Sequence, residues 1–180
     1  MWRMGAGLLL TLLLGGEAVA DKSWEEQPLG GLMRFQGEVI AETCAVDTGD
    51  RNLTVSMGHI TTDRFRLPGD EADPVPFDLH LQNCTTAVSR NVGVMFHGMA
   101  DSSNPQVLSI GEGPGIASGV AVALFDDRGR FIPLNTAPRY WVPLQEGPVI
   151  LHFVAKYRAT GQPVNDGLAN AQAWFALTYQ

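Results

Sequence analysis

The sequence predicts an all-β fold, a sandwich of short strands, on three observations. Apolar residues recur at every second position in several short segments, the period of a half-buried strand. Twenty glycines and eleven prolines break the chain at frequent intervals, as turn-rich β proteins require. No segment sustains the 3.6-residue apolar period of an amphipathic helix.

The elements follow in order. From Leu29 the residues Leu29, Gly31, Met33, Phe35, Gly37 and Val39 alternate with Arg34, Gln36 and Glu38, which predicts strand structure running to Cys44 with a break near Gly37. A short strand is predicted over Leu53–Met57. In Val75–Leu81, Val75, Phe77, Leu79 and Leu81 oppose Pro76, Asp78 and His80. Val92–Phe96 and Val120–Phe125 are continuous apolar runs suited to a sandwich interior. Asp127-Arg128-Gly129 marks a hairpin turn into Phe131–Leu134. Val149–Tyr157 alternates Val149, Leu151, Phe153 and Ala155 against Ile150, His152, Val154 and Lys156. The last strand, Ala171–Tyr179, sets Phe175, Leu177 and Tyr179 against Trp174, Ala176 and Thr178. Turn-rich segments at 68–74, 102–105, 111–119 and 161–167 separate them, giving one β-sandwich domain.

The first twenty residues read differently. Arg3 supplies a basic start, Leu8–Leu14 is an apolar run too short to span a bilayer, and Ala18-Val19-Ala20 has small residues where a signal peptidase cuts. Residues 1–20 are therefore expected to be a secretory signal peptide, cleaved before Asp21. Cleavage removes one base and one acid, so the net charge of -7 is unchanged. An acidic chain lacks the basic footprint that nucleic acid or anionic lipid requires, and no later stretch is long and apolar enough for a membrane helix. At 45% hydrophobic and 17% charged residues, the chain has material for a real core. Its two cysteines, Cys44 and Cys84, are expected to form a disulfide once secreted.

Chemistry is sparse. His59, His80, His97 and His152 show no metal-ligand spacing, and His80 and His152 fall on the polar sides of strands, where solvated or hydrogen-bonded structural roles are expected. Asp126-Asp127 sits in a turn, where aspartate bonds to backbone amides. The acidic run Asp70-Glu71-Ala72-Asp73 lacks the glycine and terminal glutamate of a calcium loop and reads as a solvated loop. No nucleophile elbow, phosphate-binding glycine loop or C-x-x-C motif is present. No catalytic residue, metal or cofactor is predicted, so function is expected to reside in surfaces and strand edges.

Five segments resemble one family. Gly30-Gly31, the alternating stretch after it, Gly37-Glu38-Val39 and then Cys44 resemble the start of a type 1 fimbrial pilin of the chaperone–usher class. Phe77–Cys84 is similar to the segment ending at the second cysteine of those pilins. Gly119–Leu134, with its Asp-x-x-Gly turn, Phe153–Gly161, and Ala169–Gln180 with its penultimate tyrosine are similar to later strands of the family. The resemblance implies an incomplete immunoglobulin-like sandwich lacking its last strand. It implies a periplasmic fimbrial chaperone that lends a strand, an outer-membrane usher, and neighbouring pilin subunits whose N-terminal arms replace the chaperone in a fimbria on the cell surface.

Under that resemblance residues 21–35 are a donor-strand arm and 36–180 the pilin domain. Leu29, Gly31, Met33 and Phe35 would fill a neighbour's groove, Gly31 at a position too shallow for a side chain. A period-2 pattern does not say whose sheet it joins, so Leu29–Phe35 can equally begin the domain's own first strand. Phe175, Leu177 and Tyr179 would line the groove, with the Gln180 carboxylate meeting a basic anchor in the chaperone. Trp24, Glu25, Glu26 and Pro28 depart from the smaller, less charged arm of a major pilin, which suggests a minor subunit acting in assembly, anchoring or termination. The rival reading is a fimbrial adhesin or a periplasmic immunoglobulin-like carbohydrate-binding module, for which Trp141 and Trp174 are the candidate sugar contacts.

Overall fold

The computed structural model describes Arg34, Gln36 and residues 43–180. The chain divides into two units, Met1–Val39 and Ile40–Gln180, and the fold described below is that of the second. The expected signal peptide, the donor residues Leu29, Gly31, Met33 and Phe35, and most of the strand predicted over Leu29–Cys44 lie outside the described residues.

Eight strands make two antiparallel sheets: β1 (Ala45–Val46), β2 (Val75–Cys84), β3 (Asn91–Gly98), β4 (Val120–Asp126), β5 (Phe131–Ile132), β6 (Val142–Pro143), β7 (Gly147–Ala159) and β8 (Ala173–Tyr179). The larger sheet runs β1-β2-β7-β4-β5 and the smaller β6-β3-β8. The described residues contain two short 3-10 turns and no α-helix.

β7 organises the core. Its odd-numbered residues Val149 to Ala159 are buried while Ile150 and His152 face outward, the alternation predicted from sequence. It pairs with β2 through Val75–Cys84 and with β4 through Val120–Asp126. The two sheets are joined by an aromatic trio. Phe77 stacks on its cross-strand partner Phe153 at 5.5 Å, and Phe96 of the smaller sheet meets Phe153 edge-on at 5.2 Å. Such pairs add roughly 0.5–1.5 kcal/mol each beyond the area they bury.

β4 is buried on both faces, as its unbroken apolar run predicts. The outer cover is irregular chain. Leu108 exchanges backbone hydrogen bonds with Val122, and Val107 packs on Ala121, Ala123 and Phe125. The small side chains of Ala121 and Ala123 let this loop lie against the sheet. Beside it, Lys156 and Arg158 of β7 stand over Phe125 and Phe131 and both bind Glu71, with Lys156 Nζ 2.9 Å from Oε2. The acidic run expected to be a solvated loop is therefore partly structural. Asp70 also accepts the Arg66 and Leu67 amides, and Asp73 pairs with Arg64.

Two predicted elements differ, and two short strands were not predicted. Leu53–Met57 is extended but joins no ladder among the described residues, because alternation specifies an extended backbone with one apolar side and not a partner for it. The strand predicted over Phe131–Leu134 pairs only at Phe131–Ile132, since Pro133 has no amide to continue the ladder. β1 and β6, two residues each, are too short to carry a pattern.

The predicted disulfide is present. Cys44–Cys84 ties the entry of β1 to the end of β2, next to the Ala45–Gln82 and Val46–Leu81 pairs and the Thr85 to Thr43 backbone hydrogen bond. Closing a loop of 40 residues stabilises a chain by roughly 4 kcal/mol. The double variant Cys44→Ser/Cys84→Ser is expected to lose roughly that amount in urea denaturation under non-reducing conditions.

Burial alone pushes the Glu71 carboxyl up. Hydrogen bonds and charge from Arg158 and Lys156 outweigh it, so the group titrates below its ordinary value of 4.5. A lowered carboxyl pKa contributes stability that is complete above the ordinary carboxylate range and is lost as pH falls through the lowered value. The gap in denaturation midpoint between the native chain and Glu71→Gln is therefore expected to be full at neutral pH and to shrink below about pH 4.

Candidate functional site

β8 is an edge strand whose core-facing side is incompletely covered. It pairs with β3 along its whole length, Val92–Tyr179 to Gly98–Ala173, and with no other strand among the described residues. The register places Phe175 opposite Phe96, Leu177 opposite Val94 and Tyr179 opposite Val92, all facing the core. The β3 members are 4%, 9% and 0% exposed. Their β8 partners, one strand further out on the same face, are only half-buried. Side-chain type does not explain that difference. Among the described residues β8 is the outermost strand of its sheet.

Other half-buried apolar residues pack on the same core: Met57, Ile60, Ile116, Val164, Ala169 and Ala171. Met57 and Ile60 lie on either side of Gly58, whose φ is 70°, in a segment without strand pairing among the described residues, and the others belong to irregular loops. Tyr157, buried on β7, donates its hydroxyl to the Ala169 carbonyl at 2.7 Å and so fixes the approach to β8. Burial pushes the Tyr157 phenol pKa up, which keeps that donor protonated at physiological pH.

At the other end of the strand, the Tyr179 hydroxyl reaches toward the Cys44 carbonyl at 3.4 Å. The Gln180 oxygen accepts the Arg90 and Asn91 amides at 2.9 Å each, and the Gln180 amide donates to Asn91. The chain terminus is thus held against the start of β3. Phe175, Leu177, Tyr179 and Gln180 are brought onto one strand at one edge. Sequence reasoning did not reach Ile60, Ile116 and Val164, since none belongs to a periodic segment.

The titratable groups form fasteners. His152 Nδ1 lies 2.8 Å from its cross-strand partner Asp78, and His80 Nδ1 lies 2.9 Å from Asp50, which also accepts the His80 amide. Asp126 accepts the Arg128 and Arg130 amides and the Arg130 side chain, the turn role expected of it. Among the described residues no group of three or more His, Cys, Asp or Glu is placed to hold a metal ion. No helix among them is long and apolar enough to cross a membrane.

An immunoglobulin-like sandwich with one disulfide, open beside its C-terminal strand, defines the class of subunits that polymerise by accepting a strand. Comparison with known proteins agrees. The profile of the fimbrial protein family matches residues 33–180. The chain is 38% identical to the fimbrin-like protein FimI of Salmonella typhi over 99% of both chains. It is also similar to the Burkholderia pseudomallei antigen and type I fimbria protein BPSL1626, with 34% identity, a TM-score of 0.59, and coverage of 78% of this chain and 91% of that one. A subunit in the structure of a chaperone–usher pilus shares the fold at 24% identity and a TM-score of 0.65, covering 85% of this chain and 98% of the other. The chain belongs to the fimbrial protein family, whose members are structural subunits of cell-surface pili.

Tyr157→Phe leaves the half-buried Ala169 carbonyl without its donor. The expected cost is about 1 kcal/mol in urea denaturation, with faster amide exchange along β8 than in β2.

Proposed function

We propose that the chain is a minor subunit of a chaperone–usher fimbria whose groove beside β8 is filled by a donated strand. One observation carries the reading: Phe175, Leu177 and Tyr179 are only partly buried beside buried cross-strand partners. In the periplasm a fimbrial chaperone supplies the strand. At the outer-membrane usher, the arm of the next subunit replaces it. The chain's own residues 21–35 serve its neighbour in the same way after removal of residues 1–20, and 36–180 form the pilin domain. Leu29, Met33 and Phe35 enter the neighbour's groove, and Gly31 sits where no side chain fits. The contribution is mechanical, with no catalytic step.

The minor role rests on the arm and on likeness. Trp24, Glu25, Glu26 and Pro28 precede Gly30-Gly31, and a carboxylate is costly in an apolar groove, so Glu25 and Glu26 lie beyond it. Similarity to the fimbrin-like protein FimI along the full length supports a role in assembly, anchoring or termination. Gene deletion that left fimbrial number and length untouched would remove this part of the proposal.

Co-expression of the mature chain with its chaperone in the periplasm tests the main reading. A stable one-to-one complex is expected on sizing, with the lone chain degraded or aggregated. Leu177→Asp, or removal of residues 175–180, is expected to abolish the complex. A peptide of residues 24–36 added to the chain should raise its melting temperature, since burying Leu29, Met33 and Phe35 is worth on the order of 5 kcal/mol. A soluble lone monomer that takes up neither chaperone nor peptide would mean that the sandwich is complete.

A further inference from the structure

A second concavity lies at the opposite edge of the smaller sheet, with β3 between it and β8. The hairpin turn after β4 and the loop entering β6 meet around a cavity of 230 Å³ lined by Asp127, Arg128, Arg130, Arg139, Tyr140 and Trp141. Three guanidinium groups thus gather at one place in a chain of net charge -7.

The three have different surroundings. Arg130 Nε lies 2.6 Å from Asp126 Oδ2, and its guanidinium carbon lies 3.8 Å from the centre of the Tyr140 ring. Asp126 is only 6% exposed and also accepts the Arg128 and Arg130 amides. One buried carboxylate therefore neutralises Arg130 and sets the turn that presents Arg128. Arg128 and Arg139 have no carboxylate within ion-pair distance among the described residues. Trp141 and Pro138 lie against Gly93 on β3, where a Cβ would come within 2.6 Å of Pro138, so the wall of the cavity is anchored to the sheet.

We propose that this cavity binds the carboxylate of an acidic sugar, with Arg128 and Arg139 as the clamp. The guanidinium fork matches a carboxylate bidentately and is less strongly hydrated than an ammonium. With Arg130 matched by Asp126, Arg128 and Arg139 outnumber the other carboxylate that lines the cavity, Asp127, and this local excess of positive charge favours anions there. The cavity is smaller than the roughly 300–1,000 Å³ of drug-sized sites, which suits one sugar unit. An acidic peptide fits less well. The neighbouring β6 is two residues long and includes Pro143, which has no amide to pair with an added strand.

The test uses the mature chain purified from the periplasm with whatever strand fills its groove, so it does not depend on the donor-strand reading. Calorimetry would compare oligosaccharides ending in N-acetylneuraminate or glucuronate with their neutral counterparts and with polyglutamate. Binding of either acidic sugar about tenfold tighter than the neutral one, weakening with salt, is expected. The preference between the two would identify the source of the glycan. Arg128→Ala/Arg139→Ala should lower that affinity about tenfold or more with the melting temperature unchanged, neither side chain having an ion-pair partner among the described residues. Equal binding of neutral sugars, no binding at millimolar ligand, an unaffected double variant, or tighter binding of polyglutamate would each overturn the proposal.

Discussion

β8 is hydrogen-bonded to another described strand on one side only, and the rest of the sandwich is arranged so that this is tolerable. An open edge beside half-covered core side chains invites aggregation and contributes little stability of its own. Cohesion is concentrated elsewhere. β7 is paired along nearly its whole length, with β2 from Gly147 to Ala155 and with β4 from Phe153 to Ala159, the Phe77–Phe153–Phe96 trio joins the layers, and the disulfide fastens the entry of β1 to β2. The five-stranded sheet is the stable half, and the three-stranded sheet depends on it. Tyr157 connects them, since the central strand itself supplies the hydroxyl that positions the approach to β8.

Alternation located β2, β7 and β8, and continuous apolar runs located β3 and β4, to within a few residues. It said less about pairing. Leu53–Met57 alternates as clearly as Val75–Leu81, yet only the latter has a ladder among the described residues. The apolar run of β4 was legible as an interior strand, but the loop that covers its outer face carries no periodic signal. The same holds for the groove. Phe175, Leu177 and Tyr179 could be placed on one face of one strand from their spacing. Their incomplete cover could not, because it depends on what the opposite layer leaves uncovered. Asp126 was readable as a turn residue, while its buried clamp on Arg130 required the fold.

A missing strand also explains how one chain can be both unsafe alone and durable in a filament. Apolar area along β8 leaves water only when a strand arrives from outside, so part of the folding free energy is realised on assembly and not in the free subunit. The receiving surface is the groove, and the donating surface is a different part of the chain. Such a contact is heterologous and propagates head to tail without closing into a ring. A groove that bonded equally well to its own surface would give a closed dimer and end growth.

The arm then sets how growth proceeds. Under the proposed exchange, a groove lined by Phe175, Leu177 and Tyr179 would reward apolar side chains at every second position of the incoming strand, a demand that Leu29, Met33 and Phe35 would meet by type and spacing. Glu25 and Glu26 do not, because either would have to lose its hydration without a partner in an apolar trough. Under the same proposal, exchange would draw its free energy from the segment after Pro28, with the acidic residues before it adding none. An arm with a shorter apolar stretch displaces a resident strand less readily, since each side chain left outside the groove forgoes roughly 1.5–3 kcal/mol of burial. A subunit of that kind would join a growing fibre more slowly than one whose whole arm is apolar, which is the physical argument behind the proposed minor role.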